Sequence, residues 1–189
     1  MAAAARADLL ELLRVRSFER KRVVLASGRE SDFFIDCKQA VLTAQGHALV
    51  GEVMLEVLSS SAFGPCVAVA GVELGGCPLA SAVSLTSYRH GAPLDAVYVR
   101  KDAKDHGSRR MLEGDTRLPA GARIALLEDV VTTGGSTLKA ATKLRDAGYE
   151  VPGVIALVDR LEGGREAIEA DGLKLVALFT RNDFIPPGT

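Results

Sequence analysis

The order of apolar and polar residues along the chain predicts buried strands that alternate with helices. Four short runs are wholly apolar, as expected for strands that are covered on both faces of a parallel sheet. They span residues 66–70, 96–99, 124–127 and 154–158, and a last strand is predicted over 173–178. Helices are predicted between these strands over 78–88, 137–147 and 165–170. This alternation favours right-handed β-α-β crossovers and a parallel sheet.

Residues 1–62 follow a different pattern, which lacks this regular alternation. In chain order it predicts a helix over 7–16, short strands over 23–25 and 33–35 around a turn at 27–29, and a helix from an N-cap at Thr43 to about residue 59. No linker rich in Pro, Gly or Ser separates this part from the rest of the chain. We therefore expect one domain, with residues 1–62 as a small cap on an α/β core of residues 63–189.

Composition and charge narrow the class of protein. The chain of 189 residues is 48% apolar and 25% charged, which excludes an intrinsically disordered protein. Its 23 Lys and Arg nearly balance its 24 Asp and Glu, so no overall field favours a nucleic acid as partner. Three cysteines without a CxxC spacing argue against a disulfide framework. With neither a signal peptide nor a run that could cross a membrane, we expect a cytoplasmic protein.

The most specific candidate site is the segment EDVVTTGGS, from Glu128 to Ser136, directly after a predicted strand. Ligands of open α/β sheets bind beyond the carboxyl ends of the strands. The glycines of this segment allow a close approach of the backbone, and its hydroxyls and helix N-terminus suit a phosphate. The carboxylates of Glu128 and Asp129 suit a ribose, a cationic group or Mg²⁺ held through water. The alternative, an acidic strand end before an N-cap, explains single residues better than the whole segment.

A second candidate is the charged segment of residues 100–110, which holds five basic side chains and one histidine without an apolar anchor. Taken alone, it is most simply a solvated surface loop. Nucleic-acid binding is a weaker alternative, because no aromatic residue is interleaved to stack on bases. A third interpretation is a lid whose Lys and His side chains neutralise or protonate a leaving group.

Two further loops follow predicted strands. Residues 71–76 contain three glycines, which favour main-chain N–H groups facing an anion, although a simple tight turn explains them as well. Arg160 follows the strand over 154–158, where its guanidinium suits a carboxylate ligand. A surface ion pair is the alternative for Arg160.

Taken together, these loops resemble those of the orotate branch of the type I phosphoribosyltransferase family, over residues 18–179. IALLEDVVTTGGS at 124–136 is similar to the family's signature for binding phosphoribosyl pyrophosphate. Two motifs are more particular to the orotate branch: RKDAKDHG at 100–107 and SGRESDFFID at 27–36. A third, VDRLEGG at 158–164, agrees with both the wider family and the orotate branch. The resemblance implies a Rossmann-like central parallel sheet flanked by helices, with an N-terminal hood. It also implies the transfer of ribose 5-phosphate from phosphoribosyl pyrophosphate to orotate.

The resemblance also implies roles for single residues. The implied catalytic residues are Lys104, His106, Glu128 and Asp129. Those implied to bind phosphoribosyl pyrophosphate are Arg100, Lys101, Lys104, His106, Glu128, Asp129, Val130, Val131, Thr132, Thr133, Gly134, Gly135 and Ser136. Those implied to bind orotate are Phe34, Ile35, Thr132 and Arg160, and the implied pyrophosphate loop is Glu73, Leu74, Gly75 and Gly76.

Further implications concern the cofactor and the assembly. Mg²⁺ is expected to be held through substrate and water, with no certain direct protein ligand, and the protein is expected to form a homodimer that shares the lid between subunits. Ala26 and Gly75 stand where many bacterial members have lysine, which leaves fewer cationic contacts to phosphate. Two alternatives remain: a purine or other base phosphoribosyltransferase, and a non-catalytic phosphoribosyl-binding regulator that binds RNA. The charge of −1 and the 5% of aromatic residues argue against the regulator.

Overall fold

The structure, a computed structural model, describes residues 2–24, 30–102 and 110–186. Its strands are β1 (Phe18–Val24), β2 (Glu30–Ile35), β3 (Ala68–Val72), β4 (Asp95–Val99), β5 (Leu112–Glu113), β6 (Ile124–Val131), β7 (Gly153–Asp159) and β8 (Lys174–Thr180). Its helices are α1 (Ala2–Arg16), α2 (Lys38–Val41), α3 (Ala44–Ser60), α4 (Gly76–Arg89), α5 (Gly135–Asp146), α6 (Gly164–Ala170) and α7 (Arg181–Phe184). No helix in these described ranges is long and apolar enough to cross a membrane.

The central sheet has six strands in the order β5-β4-β3-β6-β7-β8. The last five of these run parallel, and the short β5 pairs antiparallel with β4. From β3 the chain adds β4 on one side, and from β6 it adds β7 and β8 on the other. The carboxyl ends of β3 and β6 therefore flank the topological switch point, where α/β sheets bind ligands. The predicted α/β class with a mostly parallel central sheet is confirmed.

Apolar residues cover both faces of this sheet, and β6 shows how the strand alternates between them. Ala125 and Leu127 belong to a cluster with α1, α3 and α4, whereas Ile124 and Leu126 belong to a cluster with α5 and α6. Such alternation follows from the period of two residues in a strand. Residues of α1 and α3 belong to the same apolar cluster as residues of the sheet, so the cap of residues 1–62 packs directly on the core. The boundary at residue 62 stays a prediction.

Several predicted boundaries are corrected by the structure. β6 continues four residues beyond the predicted end at residue 127, because Val130 and Val131 pair with β7. Glu128 and Asp129 are therefore strand residues and not loop residues. β3 begins two residues later than predicted, after the exposed Val67, and both α4 and α5 begin two residues earlier than predicted.

The N-terminal elements also differ in extent from the prediction. β1 and β2 are longer than the predicted strands and form an antiparallel hairpin, whereas the predicted turn at 27–29 lies outside the described residues. The N-cap of α3 is confirmed, because Thr43 Oγ1 accepts a hydrogen bond from Gly46 N at 3.0 Å. The hairpin packs against the unpredicted α7 through an aromatic cluster of Phe18, Phe33 and Phe184, with ring centroids 5.1–5.7 Å apart.

Candidate active site

The side chains of the two adjacent carboxylates leave β6 on opposite faces, but their carboxyl groups lie close enough to interact with each other. Glu128 faces α5, where its Oε2 accepts hydrogen bonds from Thr137 Oγ1 at 2.8 Å and from Ser136 Oγ at 3.2 Å. Only 4% of Glu128 is exposed, whereas Asp129 is half-buried. Asp129 faces the side of α4, where its carboxylate lies against Gly75. Its Oδ1 also accepts a hydrogen bond from Val130 N at 3.0 Å.

The environment of Glu128 changes its protonation. Burial raises the pKa of Glu128 to about 8, and the negative charge of Asp129 adds to this effect, although hydrogen bonds from Thr137 and Ser136 oppose it. This shift favours the protonated form of Glu128 in the folded protein.

The turn of residues 132–134 joins this strand to α5 and has the geometry of an anion cradle. Gly134 has φ 79°, in the left-handed region that favours glycine, and it is the N-cap of α5. It has no side chain to cap the helix, so the first N–H groups of α5 point to a potential anion. Gly164 packs behind the turn, because a Cβ there would lie 2.6 Å from Thr132 O. The turn and α5 thus bring the predicted phosphate-binding residues Thr132 to Ser136 together.

The predicted pyrophosphate loop, residues 73–76, lies on the other side of Asp129. Its first peptide bond, between Glu73 and Leu74, is cis. A Cβ on Gly75 would lie 1.9 Å from Asp129 Oδ2, so the loop and the carboxylate are in direct contact. Gly76 packs closely against the backbone of β6, because a Cβ there would lie 2.7 Å from Leu127 O. Asp129 therefore lies in contact with residues 73–76, on the strand that leads into the turn of residues 132–134.

Arg100 and Lys101 directly follow β4 and reach the same edge of the sheet. With side chains of α5 they line a cavity of about 340 Å³, whose rim includes Ser136 and Lys139. Lys101 is exposed, and Arg100 Nη1 lies 3.8 Å from Glu113 Oε1. The other basic residues predicted here, Lys104, His106 and Arg109, lie outside the described residues, as does Ala26.

Arg160 contributes to a buried contact between β7 and the N-terminal hairpin. Its Nη2 donates hydrogen bonds to Phe33 O at 3.0 Å and to Ser31 Oγ at 3.2 Å, and it pairs with Glu162 Oε1 at 2.9 Å. Only 9% of Arg160 is exposed, so its ion pair is buried and not on the surface. The predicted orotate residues Phe34 and Ile35 follow Phe33 in the same strand, and both are half-buried.

Three residues near Asp129 were missed by reasoning from the sequence. Cys37 is fully buried, and its Sγ lies 3.9 Å from Asp129 O. Lys38 Nζ pairs with Asp36 Oδ1 at 2.6 Å, and this hydrogen bond raises the pKa of Lys38, as does the negative charge of Asp129. The alternating charges of Asp36 and Lys38 were the only signal in the sequence that pointed to this cluster.

The site does not contain a preformed metal centre within the described ranges. Among residues 2–24, 30–102 and 110–186, no three His, Cys, Asp or Glu side chains come together in a group that could hold a metal ion. Asp129 offers single carboxylate oxygens at the centre of the site, which fits an ion that is coordinated mainly by a ligand and water.

Comparisons with known proteins agree with this geometry. The model of the phosphoribosyl transferase domain family matches residues 41–176. The orotate phosphoribosyltransferase of Sorangium cellulosum is 71% identical over 184 residues, which cover 97% of this chain and 95% of that protein. Among solved structures, the orotate phosphoribosyltransferase of Mycobacterium tuberculosis in complex with Fe(III) dicitrate is 40% identical, with a TM-score of 0.80 and coverage of 96% of this chain and 99% of that chain.

The same Mycobacterium tuberculosis enzyme in complex with phosphoribosyl pyrophosphate is matched with a TM-score of 0.76 and 34% identity, over 97% of this chain and 93% of that one. These similarities extend well beyond the signature at 124–136 and include the N-terminal hairpin. On this evidence the chain belongs to the phosphoribosyl transferase domain family and, within it, to the orotate phosphoribosyltransferases.

Proposed function

We propose that the protein transfers ribose 5-phosphate from phosphoribosyl pyrophosphate to N1 of orotate, a step of pyrimidine nucleotide synthesis. The products are orotidine 5′-monophosphate and pyrophosphate. The observation that carries the proposal is the position of Asp129, which lies against Gly75 of the pyrophosphate loop and three residues before the phosphate-binding turn, at the switch point of the sheet. This arrangement suits a ribose that carries a phosphate at one end and pyrophosphate at the other.

The chemistry needs little more than electrostatic stabilisation from the protein. The bond between the anomeric carbon and the pyrophosphate oxygen breaks, and pyrophosphate leaves with the electron pair. Orotate N1 forms the new bond, and its proton passes to pyrophosphate or water. Asp129 stabilises the positive charge that develops on the ribose, and the N-terminus of α5 holds the 5-phosphate. Arg100 and Lys101 stabilise the leaving pyrophosphate.

Glu128 and Asp129 take different parts in this proposal. Asp129 contacts the ribose directly because it is half-buried beside the two loops. Glu128 holds the first turn of α5 through Thr137 and Ser136, and its predicted contact with ribose hydroxyls requires it to exchange these hydrogen bonds. Asp129 is also the carboxylate that we expect to contact Mg²⁺ through water. When bound with the substrate, Mg²⁺ neutralises part of the charge on pyrophosphate.

Orotate binding is proposed for the end of the site next to the hairpin. The contacts of Arg160 with Ser31, Phe33 and Glu162 all use Nη2. We assign its Nη1 to the carboxylate of orotate, since a guanidinium binds carboxylates well. The backbone of Phe34 and Ile35 and the side chain of Thr132 complete this end of the site.

We also propose a homodimer in the cytoplasm. Leu85, Tyr88 and Tyr98 present exposed apolar side chains on α4 and β4, with 49%, 72% and 37% exposed. Leu74 of the pyrophosphate loop, which is 63% exposed, lies two residues before the start of α4. An interface on this face would therefore place the second subunit beside the active site. The contribution of Lys104 and His106 to the neighbouring site rests on the family resemblance.

The decisive experiment follows the loss of orotate's ultraviolet absorbance after phosphoribosyl pyrophosphate and Mg²⁺ are added. We expect turnover with the wild-type protein and a loss of about 100-fold or more with Asp129→Asn, which keeps the shape but removes the charge. Pyrophosphate release with hypoxanthine or adenine but not with orotate would contradict the proposal. Retention on RNA without turnover of any base would instead support a binding regulator.

A further inference from the structure

We infer that Lys143 of α5 is a positioning residue, which together with Glu73 fixes the peptide between Arg100 and Lys101 so that these two cations face pyrophosphate. The inference rests on the proposed function, in which Arg100 and Lys101 bind the leaving group. Neither the resemblance nor the order of residues along the chain points to Lys143, since it lies near the end of α5, about two turns of helix away from the signature at 124–136.

Both polar groups of this one peptide are held by charged side chains of opposite sign. The carbonyl oxygen of Arg100 accepts a hydrogen bond from Lys143 Nζ at 2.7 Å. The N–H of Lys101 donates to Glu73 Oε2 at 2.9 Å. Lys143 Nζ donates a second bond, to the carbonyl oxygen of Lys101, at 2.8 Å. The cation thus holds the carbonyls and the anion holds the amide, which is the favourable arrangement for each, and charged partners make such bonds short and strong.

The groups that hold the peptide are themselves on rigid elements. The buried Ala140, Ala141 and Leu144 pack α5 against the sheet, so the stem of Lys143 starts from a fixed backbone. Glu73 N donates to Val99 O at 2.9 Å, which ties the pyrophosphate loop to the end of β4. The peptide therefore lies where β3, β4 and α5 converge.

The hydrogen bonds of Lys143 link the two ends of the substrate-binding site. α5 begins at the phosphate-binding turn, so Lys143 connects the element that holds the 5-phosphate to the segment that holds pyrophosphate. Without Lys143, two carbonyls lose a charged donor, and the backbone that aims the side chains of Arg100 and Lys101 gains freedom. Ordering that backbone again on binding would cost affinity for the pyrophosphate end of the substrate and leave orotate binding unaffected.

The chain offers a matched control for this inference. Lys139 lies one turn earlier on α5, lines the same cavity and is exposed, but no hydrogen bond joins it to another part of the described structure. Lys143→Met and Lys139→Met remove the same charge from neighbouring positions. Only Lys143→Met removes the two bonds to the carbonyls, whereas Lys143→Arg keeps a charged donor there.

The experiment measures the Kd for inorganic pyrophosphate by calorimetry and the KM for each substrate. We expect Lys143→Met to raise the pyrophosphate Kd and the KM for phosphoribosyl pyrophosphate by about 10-fold or more, since it removes hydrogen bonds to a charged group. The KM for orotate should change by less than about 2-fold. Lys139→Met should weaken pyrophosphate binding clearly less than Lys143→Met does, and Lys143→Arg should recover part of the loss.

Equal weakening by Lys143→Met and Lys139→Met would overturn the inference, because it would show a general charge effect. No weakening by Lys143→Met would overturn it as well. Circular dichroism checks the fold. If Lys143→Met is unfolded, Glu73→Met tests the same peptide from its amide side, because it removes the acceptor of Lys101 N. We expect a rise in pyrophosphate Kd, and no rise would refute the inference. A wild-type protein without orotate turnover would refute the proposed function but leave the pyrophosphate comparison intact.

Discussion

A single methyl group at position 75 should impair the site by displacing the carboxylate of Asp129. Gly75 has φ −67° and ψ −33°, a conformation that any residue adopts, so Gly75→Ala adds no backbone strain. Its new Cβ would lie 1.9 Å from Oδ2 and 2.2 Å from Cγ of Asp129. An ordinary contact is at least 3.4 Å, so the carboxylate or the loop has to shift by about 1.5 Å.

The size of this shift sets the expected loss. A misplacement of about 1 Å at a reacting centre costs on the order of 100-fold in rate. Asp129 Oδ1 is also held by Val130 N at 3.0 Å, so the carboxylate cannot move away without losing that hydrogen bond. The Asp129 side chain can absorb part of the shift by rotation, so we expect kcat/KM of Gly75→Ala to fall by about 10- to 100-fold, with the fold intact.

A double-mutant cycle isolates the cause. Asp129→Ala removes the carboxylate that the methyl group would meet, so adding Gly75→Ala in that background should change kcat/KM by less than about 2-fold. Steady-state kinetics of the four proteins, with circular dichroism as the control for folding, provide the measurement. The reasoning is refuted if Gly75→Ala keeps more than half of the wild-type kcat/KM. It is also refuted if the two substitutions act additively.

Three further predictions concern stability and assembly. Burial raises the pKa of Glu128 from its ordinary value near 4.5 to about 8, so the wild-type protein should lose stability as pH rises through this window, where the unfolded state ionises first. Glu128→Gln removes this loss, and urea unfolding should show its stability relative to wild type improving from pH 5 to pH 8.5; a difference that is independent of pH would contradict the pKa shift. Thr43→Ala removes the cap on Gly46 N and should lower the free energy of unfolding by about 1 kcal/mol, whereas an unchanged urea midpoint would argue against the cap. Lysines in place of Leu85 and Tyr88 should convert a dimer into a monomer in light scattering, and a retained dimer would exclude that face as the interface.

Much of the fold could be predicted because its signals are local. Each apolar run of the central sheet and the stripe of α3 is visible within a short window, and Thr43 marks the start of that helix. The end of β6 was predicted wrongly at residue 127, because two adjacent carboxylates are typical of a strand end. Pairing of Val130 with Val158 extends the strand, and no local signal reports that contact. α2, α7 and β5 have only two to four residues, too few for a periodic pattern.

The residue types of the candidate site were predicted from the sequence, but their arrangement in space was not. The residue types of the segment from Glu128 to Ser136 indicated a phosphorylated sugar, and the structure brings Thr132 to Ser136 together at one turn. The buried hydrogen bond of Arg160 to Phe33 and the bonds of Lys143 to Arg100 and Lys101 were not predictable, because their partners lie on different elements. The sequence likewise carried no sign that Gly75 makes room for the carboxylate of Asp129.

The sequence by itself determined which segments become strands and helices and which chemical groups follow each strand, since both depend on residues close together in the chain. Only the tertiary structure decided how these groups are directed. The period of the strand required Glu128 and Asp129 to point to opposite faces, but the packing of α5 and α4 decided that Glu128 is buried and Asp129 reaches the site. The strand order β4-β3-β6 then brought Arg100, Gly75 and Asp129 to one edge, because strands that are distant in sequence become neighbours only when the sheet is assembled.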